Sequence, residues 1–178
     1  MKAIVGALAL ALGTLPAAVA AQDSRNPVAD ALRTMQQRLG KNLTDAADEM
    51  PADKYGYKPT PAQMSFGDVV VHLAEGNDYL CSTVGGVTAP QRAKVAATDT
   101  KDKLVARLRE TFDFCGSALA KASDAALGDS VPFFGGRKVT KATAVLVTVG
   151  DWEDHYSQVA IYLRLNGLLP PTARRGAQ

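Results

Sequence analysis

The sequence contains little of what several common kinds of binding site require. Among 178 residues it has two histidines, two cysteines and 6% aromatic residues, and its formal net charge is only +2. Few aromatic side chains are available to stack on bases, and nucleic-acid-binding proteins normally show a clustered excess of lysine and arginine. We therefore expect no nucleic-acid partner. The 47% of hydrophobic residues is enough for one domain with a buried core.

The first 21 residues show the three parts of a secretory signal peptide. Lys2 provides a positive charge, residues 3–12 are uninterrupted apolar, and residues 18–21 (AVAA) offer small side chains for cleavage at either of the last two alanines. An uncleaved membrane anchor is the alternative, but the second half is rich in alanine and broken by glycine and proline. Cleavage predicts an exported protein, periplasmic or secreted, with one domain at residues 22–178 and no stable membrane insertion.

Four stretches of the mature chain have the apolar spacing of amphipathic helices. They are residues 27–50, 66–84, 100–122 and 140–167, with Pro27 at the first start and Ser65 and Thr140 as caps. A linker at residues 85–99 separates the second stretch from the third. Residues 131–139 (VPFFGGRKV) indicate a short hairpin with a Gly-Gly turn. The pattern predicts an all-α fold, a four-helix bundle.

The fourth helical stretch places a carboxylate and an imidazole on its buried face. Asp151 and His155 are one turn apart, and at 100° per residue they share a side with Val159 and Tyr162. His72 lies at the edge of the apolar stripe of the second helix. Buried ionisable groups need a partner or a metal, and two imidazoles with one carboxylate form a common open set for divalent ions. These residues predict one divalent metal ion. Zinc, nickel, iron and manganese remain open, and a simple hydrogen-bonded pair is the alternative.

Five further residues are candidates for supporting roles around this metal. Glu75 and Gln158 each lie about one turn beyond a histidine and are candidates for hydrogen bonds to the ligands. Tyr79, Trp152 and Tyr156 are candidates for the lining of a substrate pocket. The alternatives are a solvated helix position for Glu75 and a core position for Trp152. No nucleophile elbow, phosphate-binding loop or dinucleotide fingerprint is present, so the catalytic residues stay unknown.

The two cysteines are expected to form a disulfide, because exported proteins fold in an oxidising compartment. Cys81 lies 16 residues beyond Ser65, and Cys115 lies 15 residues beyond Thr100. Parallel second and third helices would place the two sulfurs at nearly the same height, whereas antiparallel helices would separate them by about 18 Å. A disulfide needs Cα atoms roughly 4.4–6.8 Å apart. The bond therefore requires parallel middle helices joined by a long crossover. Two buried free thiols are the alternative.

Two segments of the chain resemble the DinB-like (YfiT-like) metalloenzyme superfamily. KYGYKPTPAQMSFGDVVVHLAEGNDYLC (residues 54–81) is similar to its first metal-bearing segment, and DWEDHYSQVAIYLRLNGLLPP (residues 151–171) to its last helix. The resemblance implies a four-helix bundle with up-down-down-up topology, commonly dimeric, that holds one divalent metal by three histidines. His72 and His155 match two of these histidines. Asp151 occupies the third position, either as a replacement ligand or as the mark of a site that has lost its metal.

The resemblance also implies a range of functions. Members include thiol-dependent transferases and isomerases, so this chain is expected to be a metal-dependent transferase or hydrolase acting on a small molecule. A non-catalytic metal-binding or ligand-binding bundle is the alternative, followed by a purely structural protein. A homodimer is implied only by the resemblance, and neither the substrate nor any other partner is identified by the sequence.

Overall fold

The computed structural model describes residues 25–175, so the predicted signal peptide at residues 1–21 lies outside them. Within this range the protein is mostly helical, with one small sheet. The helices are α1 (Pro27–Glu49), α2 (Phe66–Gly85), α3 (Lys101–Leu119), α4 (Lys141–Leu165) and the short α5 (Pro171–Arg175), and the strands are β1 (Ser130–Pro132) and β2 (Lys138–Thr140). None of the described helices has the length and hydropathy that a bilayer span requires.

The long helices begin where side-chain caps are available. The Ser65 hydroxyl accepts a hydrogen bond from the backbone N–H of Asp68, and the Asp68 carboxylate accepts one from the backbone N–H of Ser65, which completes a capping box at α2. Thr140 caps α4 in the simpler way, through the N–H of Thr143. Both caps confirm the helix starts predicted from the sequence.

The end of α3 differs from the prediction. The helix was expected to extend to residue 122 but ends at Leu119. Arg33 of α1 donates hydrogen bonds to the carbonyl oxygens of Leu119 and Ala122, each over 3.3 Å. These bonds satisfy carbonyl groups that would otherwise lack a partner after the last helical turn. The interaction with α1 thus stabilises an earlier end than the periodicity indicates.

The predicted hairpin is present immediately before α4. Strands β1 and β2 pair antiparallel, with Val131 opposite Val139. Gly135 and Gly136 form the turn with φ values of 67° and 72°, a left-handed backbone conformation that glycine adopts without strain. The pairing places the turn, and the phenylalanines that precede it, beside α2.

Helices α2 and α3 form the most extensive interface between elements. Asn77 donates from Nδ2 to the Thr111 hydroxyl over 3.1 Å, and one turn further along both helices Cys81 forms a disulfide with Cys115, with Cα atoms 5.1 Å apart. The predicted disulfide is therefore present. From the first of these contacts to the second, the residue numbers increase on both helices.

Along the interface of α2 with α4, residue numbers change in opposite senses. Phe66 at the start of α2 lies near Tyr162, with ring centroids 6.5 Å apart, and Asn77 contacts Trp152. The core between the four long helices is filled by large buried side chains: Leu39, Leu43, Phe66, Leu73, Leu80, Leu104, Leu108, Leu119, Trp152, Tyr162 and Leu163. These contacts hold α2 and α4 side by side, which is the arrangement that the candidate site needs.

The long connection between α2 and α3 is attached by Arg92. Its guanidinium lies 2.9 Å from the Asp78 carboxylate of α2 and 3.3 Å from the Glu110 carboxylate of α3. Arg107 of α3 also donates to the carbonyl oxygen of Ala93 over 2.7 Å. The connection is thus fixed to both helices that it joins.

Candidate metal centre

His72, Asp151 and His155 meet between α2 and α4. The Nε2 atom of His72 lies 3.7 Å from Asp151 Oδ1, and the Nε2 atom of His155 lies 3.5 Å from the same oxygen. One ligand atom from each of the three residues lies within 4.8 Å of the other two. Ligand atoms around a tetrahedral ion at about 2.1 Å would lie about 3.4 Å apart. The spacing therefore suits a single bound ion after small side-chain shifts.

The three side chains differ in their exposure to solvent. The side chain of His155 is 11% exposed, that of Asp151 is 22% exposed and that of His72 is 49% exposed. The site thus lies at the edge of the core and opens on the His72 side. The sequence placed Asp151 at the centre of the buried face, but the carboxylate is only partly covered. Gly76 of α2 lies next to the carboxylate, since a Cβ there would lie 3.8 Å from Asp151 Oδ2.

The second oxygen of Asp151 has no hydrogen-bond partner. Oδ2 is shielded from solvent, and among the described residues it is the one buried side-chain nitrogen or oxygen in this condition. Leaving a buried acceptor unsatisfied costs roughly 1–3 kcal/mol, and more for a charged group. A cation held between the two imidazoles and both oxygens of this carboxylate would satisfy it. The donor set present, two imidazoles and one carboxylate, fits a divalent transition metal.

Gln158 orients the imidazole of His155. Its Oε1 lies 2.9 Å from His155 Nδ1, while its Nε2 donates to the Tyr162 hydroxyl over 3.2 Å. The Tyr162 hydroxyl in turn donates to the carbonyl oxygen of Met64 over 2.9 Å. Because the amide oxygen only accepts, Nδ1 carries the ring proton, and the lone pair of Nε2 is directed toward Asp151. The prediction that Gln158 supports a ligand agrees with this geometry.

The charge of the site favours a positive group next to Asp151. The Asp151 carboxylate, which would accept a hydrogen bond from the protonated imidazole, raises the pKa of His155 against the opposing effect of burial, and the hydrogen bond with Gln158 raises it further. The negative charge of the Asp151 carboxylate is the main cause that stabilises the protonated imidazole. A metal cation would experience the same field and would compete with the proton for Nε2.

The other sequence candidates lie apart from this arrangement. Glu75 is exposed, and across residues 25–175 no hydrogen bond joins it to either histidine. Tyr156 is largely buried, and its hydroxyl donates to Thr172 over 2.9 Å, toward α5. Tyr79 contacts the aromatic rings of the hairpin instead, with its centroid 4.3 Å from that of Phe134.

Trp152 requires a correction. It was a candidate for the lining of a substrate pocket with a core position as the alternative, and its fully buried side chain matches the alternative. The indole N–H donates to Asn77 Oδ1 over 2.7 Å, so its polar atom is satisfied inside the core. A fully buried ring with no free polar group packs as a core residue and cannot form the wall of an open pocket.

The sequence reasoning missed Asn77 and Gly76. Asn77 lies within the apolar stripe of α2, one turn beyond Leu73 and one turn before Leu80, and it is buried. A polar residue inside such a stripe is a signal for a buried hydrogen bond between helices. Gly76, one turn after His72 in a helix interior, could also have been recognised as a position where another group approaches.

Three crystal structures have a similar fold. A DinB-like protein from Bacillus subtilis aligns with a TM-score of 0.63 at 17% identity, covering 77% of this chain and 92% of its own. A DinB-like protein from Bacillus cereus gives 0.65 at 15% identity, with coverages of 80% and 95%. A conserved protein from Enterococcus faecalis gives 0.57 at 15% identity, with coverages of 76% and 94%. At these identities the likeness concerns the fold alone.

The sequence gives an independent result. A search of curated proteins found no match. The family model of the DinB superfamily, however, matches residues 18–159. This range includes His72, Asp151 and His155 and comprises most of the chain. The protein therefore belongs to the DinB superfamily.

Proposed function

We propose that this protein is an exported metal-binding member of the DinB superfamily that holds one divalent metal on His72, Asp151 and His155. We further propose that it acts as a metal-dependent transferase or hydrolase on a small molecule. The observation that carries the proposal is the buried, unpartnered Oδ2 of Asp151 beside two converging imidazoles. When bound, such a metal lowers the pKa of a coordinated water or thiol and so supplies a nucleophile.

Asp151 acts in this proposal as a replacement ligand. In a site that had lost its metal, no selection would keep a carboxylate oxygen buried without a partner, because that arrangement destabilises the fold. Here Oδ1 of the same carboxylate also faces both Nε2 atoms. Three protein ligands leave further coordination positions open, and the half-exposed side chain of His72 gives solvent and substrate access to them.

Export is the second part of the proposal. It rests on the pattern of residues 1–21 and is supported by the Cys81–Cys115 disulfide, since such bonds persist in oxidising compartments. Mass spectrometry of the protein recovered from its native compartment tests it. We expect a chain that starts after Ala20 or Ala21, and a chain that starts at Met1 and remains with the membrane would contradict export.

The up-down-down-up order of the four long helices is also proposed. Two successive contacts between α2 and α3 support it, because the residue numbers increase on both helices from Asn77–Thr111 to Cys81–Cys115. The opposite order of contacts between α2 and α4 supports it as well. A homodimer remains a proposal that size measurement in solution would test.

A metal-binding bundle without catalytic activity is the second candidate function. The position of Glu75 favours it, because this carboxylate was a candidate for a hydrogen bond to His72 but is exposed and makes no bond to the site. Activity assays separate the two candidates. Turnover of thiol acceptors or esters that requires the metal would favour the enzyme, and metal binding without turnover would favour the bundle.

Metal analysis of protein purified without a histidine tag tests the shared part of both candidates. We expect one equivalent of divalent metal per chain in the wild type, and a loss of at least about tenfold in affinity for zinc in His72→Ala and Asp151→Asn. Asp154→Asn is the matched control, because Asp154 is an exposed carboxylate on the same helix. Equal zinc affinity in all four proteins would overturn the proposed site.

A further inference from the structure

A cavity lies beside the C-terminal half of α2, where the β-hairpin packs against the helix. Its volume is about 440 Å³. Tyr79, Val87, Val131 and Pro132 provide apolar walls, and Thr83 and Thr88 add hydroxyl groups. Small-molecule sites are typically 300–1,000 Å³, mostly apolar, with a few polar groups that orient the ligand. This cavity meets that description and is separate from the metal ligands.

An aromatic cluster of Tyr79, Phe133 and Phe134 adjoins the cavity. The ring centroids of Tyr79 and Phe134 are 4.3 Å apart, and those of Phe133 and Phe134 are 4.8 Å apart. Phe133 is 7% exposed, whereas Phe134 is 45% exposed. The glycine turn that follows, together with a hydrogen bond of 3.2 Å from Arg137 Nε to the Phe134 carbonyl oxygen, fixes the backbone at this position. Phe134 is therefore an ordered aromatic ring presented to solvent.

The cluster lies on the same side of α2 as the metal ligand His72. Tyr79 follows His72 by seven residues, which is two helical turns and about 10 Å along the axis. Two residues of α2 lie between them on this face: the exposed Glu75 on one side, and on the other Gly76, where a Cβ would meet only Asp151 Oδ2 within 4 Å. On the Gly76 side of this face, no side chain of α2 separates the metal ligands from the aromatic cluster.

The charge of the metal centre selects the kind of group that would bind there. Two neutral imidazoles and one carboxylate around a divalent cation leave a net charge of +1, which favours an anionic donor at the open coordination positions. The hairpin cavity, in contrast, carries no ionisable side chain other than the Tyr79 phenol among the residues that line it. The two regions therefore suit opposite ends of one molecule.

We propose, on the basis of the metal-binding function above, that the substrates are elongated anions with an apolar tail. The carboxylate or thiolate end reaches the metal between His72, Asp151 and His155. An aromatic or alkyl end occupies the hairpin cavity against Tyr79 and Phe134. The tail must span about two helical turns, and Phe134 determines specificity by covering it.

Titration calorimetry with 8-phenyloctanoate on the zinc-loaded protein tests this proposal. Its extended chain matches the two-turn separation. We expect it to bind at least about tenfold more tightly than acetate, since an apolar tail of this size buries enough surface for that gain. Phe134→Ala and the cavity-filling Thr83→Trp should each remove most of this gain while zinc content stays unchanged. Leu146→Ala, at a residue that is 74% exposed on the outer face of α4, is the matched control and should bind as the wild type does.

The neutral analogue 8-phenyloctan-1-ol separates the failure of this proposal from the failure of the metal site. The acid should bind more tightly than the alcohol to the wild type, and the two should bind equally to His72→Ala. If the acid and the alcohol bound the wild type equally, and Phe134→Ala weakened both, the result would contradict binding of the anionic end at the metal. It would still support binding of the apolar tail in the cavity. Zinc binding with no gain from the phenyloctyl tail, or a gain unaffected by Phe134→Ala, would overturn the proposal itself.

Discussion

The indole of Trp152 on α4 donates a hydrogen bond of 2.7 Å to the side-chain oxygen of Asn77 on α2, and both residues are buried. Trp152 directly follows Asp151, a proposed metal ligand, and Asn77 is five residues beyond His72. The bond therefore fixes the position of α2 along α4 next to the place where the three ligands meet. The same Asn77 amide donates to Thr111 of α3, which connects the site to a third helix.

We predict that Asn77→Ala weakens metal binding as well as folding. The Trp152 N–H would lose its partner inside the core, which costs roughly 1–3 kcal/mol of the free energy of unfolding. The register of α2 against α4 would no longer be fixed, so zinc affinity should fall by about tenfold, as it does when groups supporting metal ligands are removed. Denaturant unfolding and zinc titration measure the two effects.

Thr111→Val is the matched control for this prediction. It removes the hydrogen bond to α3 but leaves the bond between Asn77 and Trp152 in place. Stability should fall, while zinc affinity stays within about twofold of the wild type. If both variants lowered zinc affinity equally, the α2–α4 hydrogen bond would have no special role at the site.

Much of the helical frame could be predicted because local chemistry determines it. Ser65 and Thr140 cap helices through bonds within three residues, and the Gly135-Gly136 turn needs a backbone that glycine adopts freely. Apolar periodicity similarly located the four long helices. The early end of α3 could not be predicted, because it depends on Arg33 from a distant helix.

The three residues that meet in the candidate site were predictable from the sequence, but their surroundings were not. The i, i+4 spacing of Asp151 and His155 fixes their common face, and His72 was recognised from its position at the edge of the apolar stripe of α2. The close approach of Asp151 Oδ2 to Gly76 lies across the helix interface, which no pattern within α4 records. The core position of Trp152 was weighed as an alternative, but its bond to Asn77, 75 residues away, could not be inferred from the periodicity of α4.

We predict that removing the disulfide destabilises the fold. Cys81 and Cys115 are separated by 34 residues, and closing a loop of this length contributes about 4 kcal/mol in the chain-entropy model. The double variant Cys81→Ala/Cys115→Ala should lose a free energy of unfolding of this order, as measured by denaturant titration. A reducing agent should destabilise the wild type but leave the double variant unchanged. Identical unfolding midpoints for the wild type with and without reductant would contradict the prediction.

We predict that Gly85→Ala is destabilising although alanine favours helices. A Cβ at Gly85 would lie 2.6 Å from the carbonyl oxygen of Ala118 and 2.9 Å from its carbonyl carbon. Both atoms belong to the backbone of α3, so the helices would have to separate, at a cost of about 1–3 kcal/mol. Thermal or denaturant unfolding measures the loss.

Gly150→Ala on α4 is expected to have the opposite effect on stability. A Cβ there would have nothing within 4 Å, so only the helix propensity changes. This variant should raise the free energy of unfolding by up to about 1 kcal/mol. Destabilisation of the same size in both glycine variants would show that close packing at Gly85 is not the cause.

The last prediction concerns acid sensitivity at the start of α2. The hydrogen bond from the Ser65 hydroxyl lowers the pKa of Asp68 below its usual value of 3.8, and the backbone N–H of Ser65 lowers it further. A carboxylate whose pKa is lower in the folded state stabilises the fold at pH values above its unfolded pKa. That contribution is lost as the pH falls through the folded pKa. Asp68→Ala should therefore cost about 1 kcal/mol at pH 7, the usual value of a helix cap, and progressively less below about pH 4.

Ser65→Ala separates the hydroxyl from the rest of the capping box. The variant keeps the backbone N–H that donates to Asp68 but removes the hydroxyl, which is the larger cause of the lowered pKa. The cost of Asp68→Ala in free energy of unfolding should differ between pH 7 and pH 3. In the Ser65→Ala background, this difference should therefore be less than half of that in the wild type. Urea unfolding of the four proteins at pH 3 and pH 7 gives the comparison. A carboxylate that accepts these hydrogen bonds only when it is ionised must lose them on protonation. If Asp68→Ala cost the same free energy of unfolding at both pH values, the capping box would therefore not couple folding to the protonation of Asp68.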